Sequence, residues 1–492
     1  MLTFLILAII VICVFYKYAT LKFDRFKGTN VPYVEPVALF GNMLSFVLRK
    51  EDAIQCFGKI YDMFPRNRFV GIFHMRMPSI LLRDPQLIRQ VVIKDFDSFV
   101  NRGQFFNPDS DPLLANSLFN LQDQKWRDMR ATLSPAFTGS KMRQMFQLVS
   151  ESVDQLLTYL DQETLVEGSS DIELKQLITK FTNDVVATCA LGVKVDTLKD
   201  PGNIFYKMAK KVGNFNDFWQ GMKLFGLAVA PKIMKLLNIK LIGDDCSNFF
   251  LKLVQDTMIK RKEESIFRPD MIHLLMEAKK GTLENETSSE SVIKESESFA
   301  ATDSHVEKLR SRRRDWTNVE ITAQATLFFL AGIDTIASTT CFVAYELAVN
   351  LELQQTLQRE IDQVCDEQQK LGEQEINYEI VQKMKFLDMV VSEGLRKWPP
   401  APAVDRVCSK NYVFEDFDES KFEIKKGESI FLPIYNIHHD KKYYENPEKF
   451  DPYRFSEENK IKIKPFTYIP FGVGPRNCIG SRFALMEMKS VS

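Results

Sequence analysis

The chain has 492 residues, with 45% apolar and 26% charged side chains, an ordinary balance for a large globular protein. A net charge of -1 gives no global attraction to nucleic acid. Its eight cysteines are scattered and form no C-x-x-C clip, which fits reduced thiols facing the cytosol and excludes a dense disulfide framework. The 39 phenylalanines suit a large core or an apolar cavity, and composition does not choose between them.

The first sixteen residues, MLTFLILAIIVICVFY, carry no charged side chain. Extended through Thr20, with Lys17 snorkelling, residues 1–20 are long enough for a spanning helix. A basic leader and a small-x-small cleavage site are missing, so a retained anchor is expected and a signal peptide is not. Lys17, Lys22, Arg25 and Lys27 follow the span and place the rest of the chain in the cytosol. Residues 21–45 read as a Pro/Gly-punctuated hinge and 46–492 as one folded unit.

Short apolar runs in RFVGIFHMRMPSILLRDP predict strands. From about Trp126 to Lys280 the three- and four-residue apolar spacing predicts helices. Residues 281–315 are polar and serine-rich, and read as an exposed linker within the unit; the short RSRRR run is its solvated end. A long helix starts at WTNVEIT, where Thr317 and Glu320 form a capping box. It is apolar nearly all round and is expected to be buried. A charged helix, the segment FLDMVVSEGLRKWPP and short strands through YVFEDF and GESIFLPIYNIHH follow. His438 and His439 read as structural residues of a polar loop. The expected fold class is mainly α with a minor β part.

The stretch FGVGPRNCIG, Phe471 to Gly480, poses the chemical question. A thiolate is a strong donor to a soft metal but must be kept deprotonated. Backbone N–H groups aimed at sulfur can do this, and Gly472, Gly474 and Gly480 let backbone approach. CIGSRFALMEMK reads as a helix, which puts Cys478 near a helix N-terminus. Arg476 offers a cation to an acidic group beside the metal.

F-x-x-G-x-R-x-C-x-G resembles the haem-binding loop of the cytochrome P-450 superfamily. WRDMR is similar to the family's W-x-x-x-R, AGIDT to its A-G-x-D/E-T, EGLR to its E-x-x-R and FDPYRF to its P-x-R-F. The five come in the family's order. The resemblance implies the cytochrome P-450 fold, a large helical domain and a small sheet domain around haem b, with Cys478 as the axial ligand. It implies that Thr335 and Asp334 deliver protons and that Gly332 makes room for dioxygen. Phe471 and Gly480 belong to the haem loop by the same match. Trp126, Arg130 and Arg476, with Arg406 and Arg102 as weaker candidates, would hold the haem propionates. Glu393, Arg396 and Arg454 would form a structural cross-link that fixes the cysteine loop.

By the same resemblance the pocket takes Phe105, Phe106, Phe328, Phe329 and Ala401, and the substrate is lipophilic, a xenobiotic or a lipid- or hormone-like molecule. The overall pattern is similar to the microsomal, insect-type branch, on the cytoplasmic face of the endoplasmic reticulum membrane. Electrons would come from an NADPH-dependent flavoprotein reductase, with cytochrome b5 as a second candidate partner. Lys125 and Arg127 are equally readable as a docking face and as solvated charges. Two rivals stand beside the monooxygenase: a haem-thiolate isomerase or dehydratase, and a non-catalytic haem- or ligand-binding product. The second arises because the chain stops fourteen residues after Cys478, which reads as a C-terminal truncation.

Overall fold

The computed structural model describes residues 1–104, 106, 108–167, 171–213, 217–280, 314–372 and 376–491. Helix α1, Leu2–Thr20, is long and apolar enough to cross a membrane, and Ala19 is its one buried residue. The following residues are not a free hinge. Phe26, Val31 and Met43 are buried in the sheet core. The Gly71 N–H donates to Pro32 O at 2.8 Å, and Arg25 pairs with Glu428 at 2.5 Å. Apolar side chains in this segment gain about 1.5–3 kcal/mol each by burial, which outweighs the local Pro/Gly punctuation.

The sheet is assembled from both ends of the chain. Strands β1 (Phe69–His74) and β2 (Met77–Leu82) form a hairpin. Late in the chain come β3 (Val404–Val407), β4 (Tyr412–Glu415), β5 (Lys421–Ile424) and β6 (Ser429–Leu432). The four-stranded order is β1-β2-β6-β3, with β2 and β6 parallel, and β4 and β5 pair separately. The parallel pair is closed by a crossover that holds the helical part of the molecule.

The helices that build the site follow one another along that crossover and beyond it. They are α2 (Asp123–Leu133), α3 (Gly139–Glu167), α4 (Leu174–Leu191), α5 (Phe218–Val229) and α6 (Asp244–Glu263). After them come α7 (Asn318–Val349), α8 (Lys385–Lys397), α9 (Ile434–His438) and α10 (Ser481–Val491). Of the linker expected at 281–315, residues 281–313 lie outside the described residues. Its end is tied down, because Arg314 pairs with Asp128 of α2 at 3.3 Å.

Helix α7 is the axis of the helical part. It packs on α4, α6, α8 and α10. Thr317 and Glu320 form the expected capping box at its start, each accepting from the other's backbone N–H. Close approach to its neighbours depends on small residues. A Cβ on Gly394 of α8 would come within 2.3 Å of Val343, and one on Gly332 within 2.9 Å of Val186 of α4. The helix is less uniformly buried than its composition suggests: Ala331, Asp334 and Thr335 are exposed, on two different faces. Replacing Thr317 by Ala should lower stability by about 1 kcal/mol, the cost of an N-cap. A urea titration checks this; an unchanged midpoint would mean that α7 starts without help from its cap.

Candidate active site

Cys478 sits three residues before α10. The loop around it is shaped by glycines in two ways. Gly472 and Gly474 have φ of 71° and 77°, which side-chain-bearing residues rarely adopt. A Cβ on Gly474 would also come within 2.3 Å of Val92 O. The three glycines let the backbone approach in different ways. The Gly472 N–H goes to Ile469 O at 2.9 Å, and it is Gly480 whose N–H bonds the sulfur. Burial pushes the Cys478 thiol up, while that N–H and the charges of Arg130 and Arg102 pull it down.

The sulfur faces an apolar cavity of about 220 Å³. Its opposite wall is one stripe of α7, with Phe328, Ala331, Gly332 and Thr335. Thr335 Oγ1 donates to Ala331 O at 2.7 Å, one turn back. Asp334 is next in sequence but on another face. Its side chain is 80% exposed and pairs with Lys175 of α4 at 2.8 Å. Gly332 lines the cavity, and its contact with Val186 is by itself a sufficient reason for a glycine.

One edge of the cavity is cationic. Arg102, Arg130 and Arg476 line it, together with Trp126. Arg130 Nη2 donates to Asn477 Oδ1 at 2.7 Å, and its buried Nε has no partner among the described residues. Burial lowers Arg130 to about 10, and Arg102 is lowered for the same reason. Arg476 is more fully engaged. It donates to Val100 O at 2.8 Å and Leu121 O at 2.6 Å, and lies 4.0 Å above the Trp126 ring. It therefore pins the 100–121 segment to the cysteine loop. Arg406 does not line the cavity: it sits in β3, buried beside Asp405, and burial lowers it to about 9. Phe471 also lies off the cavity and accepts from the Cys478 N–H at 2.9 Å.

Glu393 and Arg396 of α8 are fully buried and paired through two hydrogen bonds, of 2.7 and 2.9 Å. Arg454 Nε is 3.4 Å from the same carboxylate, and the Asp451 N–H donates to it at 2.9 Å. Burial raises the Glu393 carboxyl, against the pull of these partners.

The pocket expectations divide. Phe328 faces the cavity and packs edge-on to Phe137 at 5.3 Å. Phe329, one residue on, points elsewhere: it is fully buried against Phe250 of α6 at 5.6 Å. A step of one residue turns a helix by about 100°, enough to swap cavity for core. Ala401 lies in the bend before β3, away from this cavity. Phe106 lines a second, outer cavity of about 960 Å³, and Phe119 lines both. Phe105 lies outside the described residues. Lys125 and Arg127 are held within the chain, by Glu320 at 2.6 Å and Asp97 at 2.8 Å.

Comparison with known proteins decides the family. The cytochrome P450 family model matches residues 31–491. The chain is 44% identical to cytochrome P450 9e2 of Blattella germanica over 97% of its length and 88% of that protein's. It is 39% identical to cytochrome P450 9c1 of Drosophila melanogaster, over 97% and 88%, and 35% identical to cytochrome P450 6a2 of the same organism, over 95% and 87%. The chain belongs to the cytochrome P450 family.

Cytochromes P450 are haem-thiolate monooxygenases, and the residues around this cavity fit haem on their own chemistry. The macrocycle wants apolar walls and a sulfur donor, and its two carboxylates want cations. The cavity offers Cys478, mostly apolar walls, the buried guanidinium of Arg130 and the half-buried one of Arg102, both lowered chiefly by desolvation. Sequence reasoning missed Asn477, the partner of Arg130, because it occupies a variable place in the motif. His438, expected as a structural residue of a polar loop, is no loop residue: it ends α9 and is fully buried between Arg396 and Ile469.

This P450 also buries a carboxyl that none of the motifs contains. Glu487 of α10 is fully buried, and neither oxygen has a hydrogen-bond partner among the described residues. Burial raises it well above the carboxylate range. The folded chain therefore keeps a proton that the unfolded chain loses above about pH 4.3. Stability contributed by Glu487 is present below that pH and is lost as pH rises toward the folded value. Glu487→Gln should match the parent at pH 4 and exceed it above pH 5, by up to about 1.4 kcal/mol per pH unit at first. Urea midpoints from pH 4 to 8 test this; parallel curves would mean the carboxyl ionises freely.

Proposed function

We propose that this P450 inserts one oxygen atom of O2 into a lipophilic small molecule at the cytoplasmic face of the endoplasmic reticulum membrane. Electrons come from NADPH through a membrane-bound flavoprotein reductase. The observation that carries the reading is one cavity lined at once by Cys478, by the Ala331–Thr335 stripe and by Arg102 and Arg130.

Bound haem supplies the oxygen-activating chemistry. The chain's part divides among named residues. Cys478 gives the thiolate, and the Gly480 N–H bonded to its sulfur spreads that negative charge. Arg102 and Arg130 would hold the propionates, and Trp126 lines the same edge. Thr335 holds a proton at Oγ1 on the cavity side. Asp334, on the solvent side of the same helix turn and paired with Lys175 of α4, restores it from bulk water. Glu393, Arg396 and Arg454 hold the scaffold beneath the cysteine loop and take no part in proton or electron transfer.

A lipophilic substrate is supported by the aromatic walls of both cavities. The outer one is bounded by α5, whose Phe218, Trp219 and Met222 are exposed, and α1 ends beside it: Tyr18 OH donates to Val229 O at 3.2 Å. Apolar entry and membrane anchor therefore share one side of the molecule.

The test is turnover of the reductase-reconstituted, full-length holoenzyme under 18O2 with apolar substrates. Labelled oxygen should appear in product, at one NADPH consumed per product at best. Thr335→Ala should lower product formation about 100-fold, the lower end of general-acid catalysis, while NADPH oxidation continues. Product without NADPH, or with oxygen from water, would refute the reading.

A further inference from the structure

His438 lies between the buried ion pair and the cysteine loop, and its hydrogen bonds fix both its charge and its tautomer. The Ile469 N–H donates to Nε2 at 2.9 Å, so Nε2 carries no proton. The proton is therefore on Nδ1, which donates to Arg396 O at 3.0 Å. The contact is reciprocal, because Arg396 Nη1 donates to His438 O at 2.9 Å. Burial and the Arg396 charge both push the ring well below the usual histidine range, in keeping with a neutral imidazole. Its face stacks on Tyr468 at 5.6 Å and 20°, and the Tyr468 hydroxyl donates to Ser392 O on α8.

From Ile469 the connection continues through backbone. Ile469 O accepts from the Gly472 N–H at 2.9 Å, and Phe471 O accepts from the Cys478 N–H at 2.9 Å. Three hydrogen bonds and two short backbone spans thus join the imidazole to the peptide that carries the sulfur. The other end of the ring is bonded to Arg396, whose side chain is locked by Glu393. The Glu393–Arg396 pair makes no direct bond to the 471–480 loop among the described residues; the imidazole bridges the gap.

We propose that His438 is a positioning residue, which sets the place of Cys478 by transmitting the rigidity of the Glu393–Arg396 pair to the cysteine loop. The inference rests on Cys478 being the haem ligand. A glutamine can present an acceptor near the Nε2 position. An asparagine is too short and can replace only the bond to Arg396.

The experiment compares holoprotein with His438→Gln, His438→Asn and His438→Leu. It reads haem content, thermal midpoint, and the share of ferrous–carbon monoxide complex showing the red-shifted thiolate band. The Asn variant should lose at least half of the thiolate band per haem, and the Gln variant should recover most of it. The thermal midpoints of Asn and Gln should lie close together, which a merely structural role would not give. If His438→Leu does not fold, the Asn–Gln pair still decides. An Asn variant with the parent's thiolate share, or a Gln variant no better than Asn, overturns the proposal. A parent holoprotein without the thiolate band would instead refute Cys478 ligation itself.

Discussion

A carboxylate and a guanidinium with no solvent exposure, Glu393 and Arg396, are the constraint on which the cysteine side of the structure rests. Removing one partner of such a pair costs about 3–5 kcal/mol, because the other is left charged in a poor solvent. The pair is further bound by the second guanidinium of Arg454, the Asp451 N–H and the carbonyls of His438 and Pro447. A fork of this kind tolerates little movement. It therefore fixes α8 relative to residues 438–454, and from that base the chain returns to the cysteine loop.

The opposite requirement governs the cavity. There, positive charge is gathered and left short of partners. Arg130 is buried and Arg102 half-buried; the Cys478 sulfur acts on both, and the Asp405 carboxylate acts on Arg102. Such a cluster is unfavourable alone and favourable with an anionic group at that edge. The cross-link is complete within the chain, whereas Arg130 at the cationic edge keeps a buried Nε with no partner among the described residues. That difference separates scaffold from binding site without reference to any motif.

The motifs were legible because each reflects a local demand. Gly474 cannot carry a side chain against Val92 O, and Glu393 and Arg396 must share one helix face. The Thr317 cap and the long helix it begins were readable for the same reason. The parallel β2–β6 pairing was not, since it joins segments with no sequence signal between them. Nor was the packing of Phe26 and Val31 on the sheet, which turns an apparent hinge into core. Phe328 and Phe329 are alike in sequence, and only the direction in which α7 faces its neighbours tells cavity from core. His438 looked ordinary because its partners, Arg396 and Ile469, are distant along the chain.

Everything proposed for the cavity depends on Cys478, in its glycine-shaped loop, presenting a thiolate to haem. The most direct measurement is the ferrous–carbon monoxide difference spectrum of the purified holoprotein beside Cys478→Ala. A strongly red-shifted Soret band that disappears in the variant is expected. A parent band at the position typical of thiol or imidazole ligation, or a red-shifted band that survives in Cys478→Ala, would contradict it.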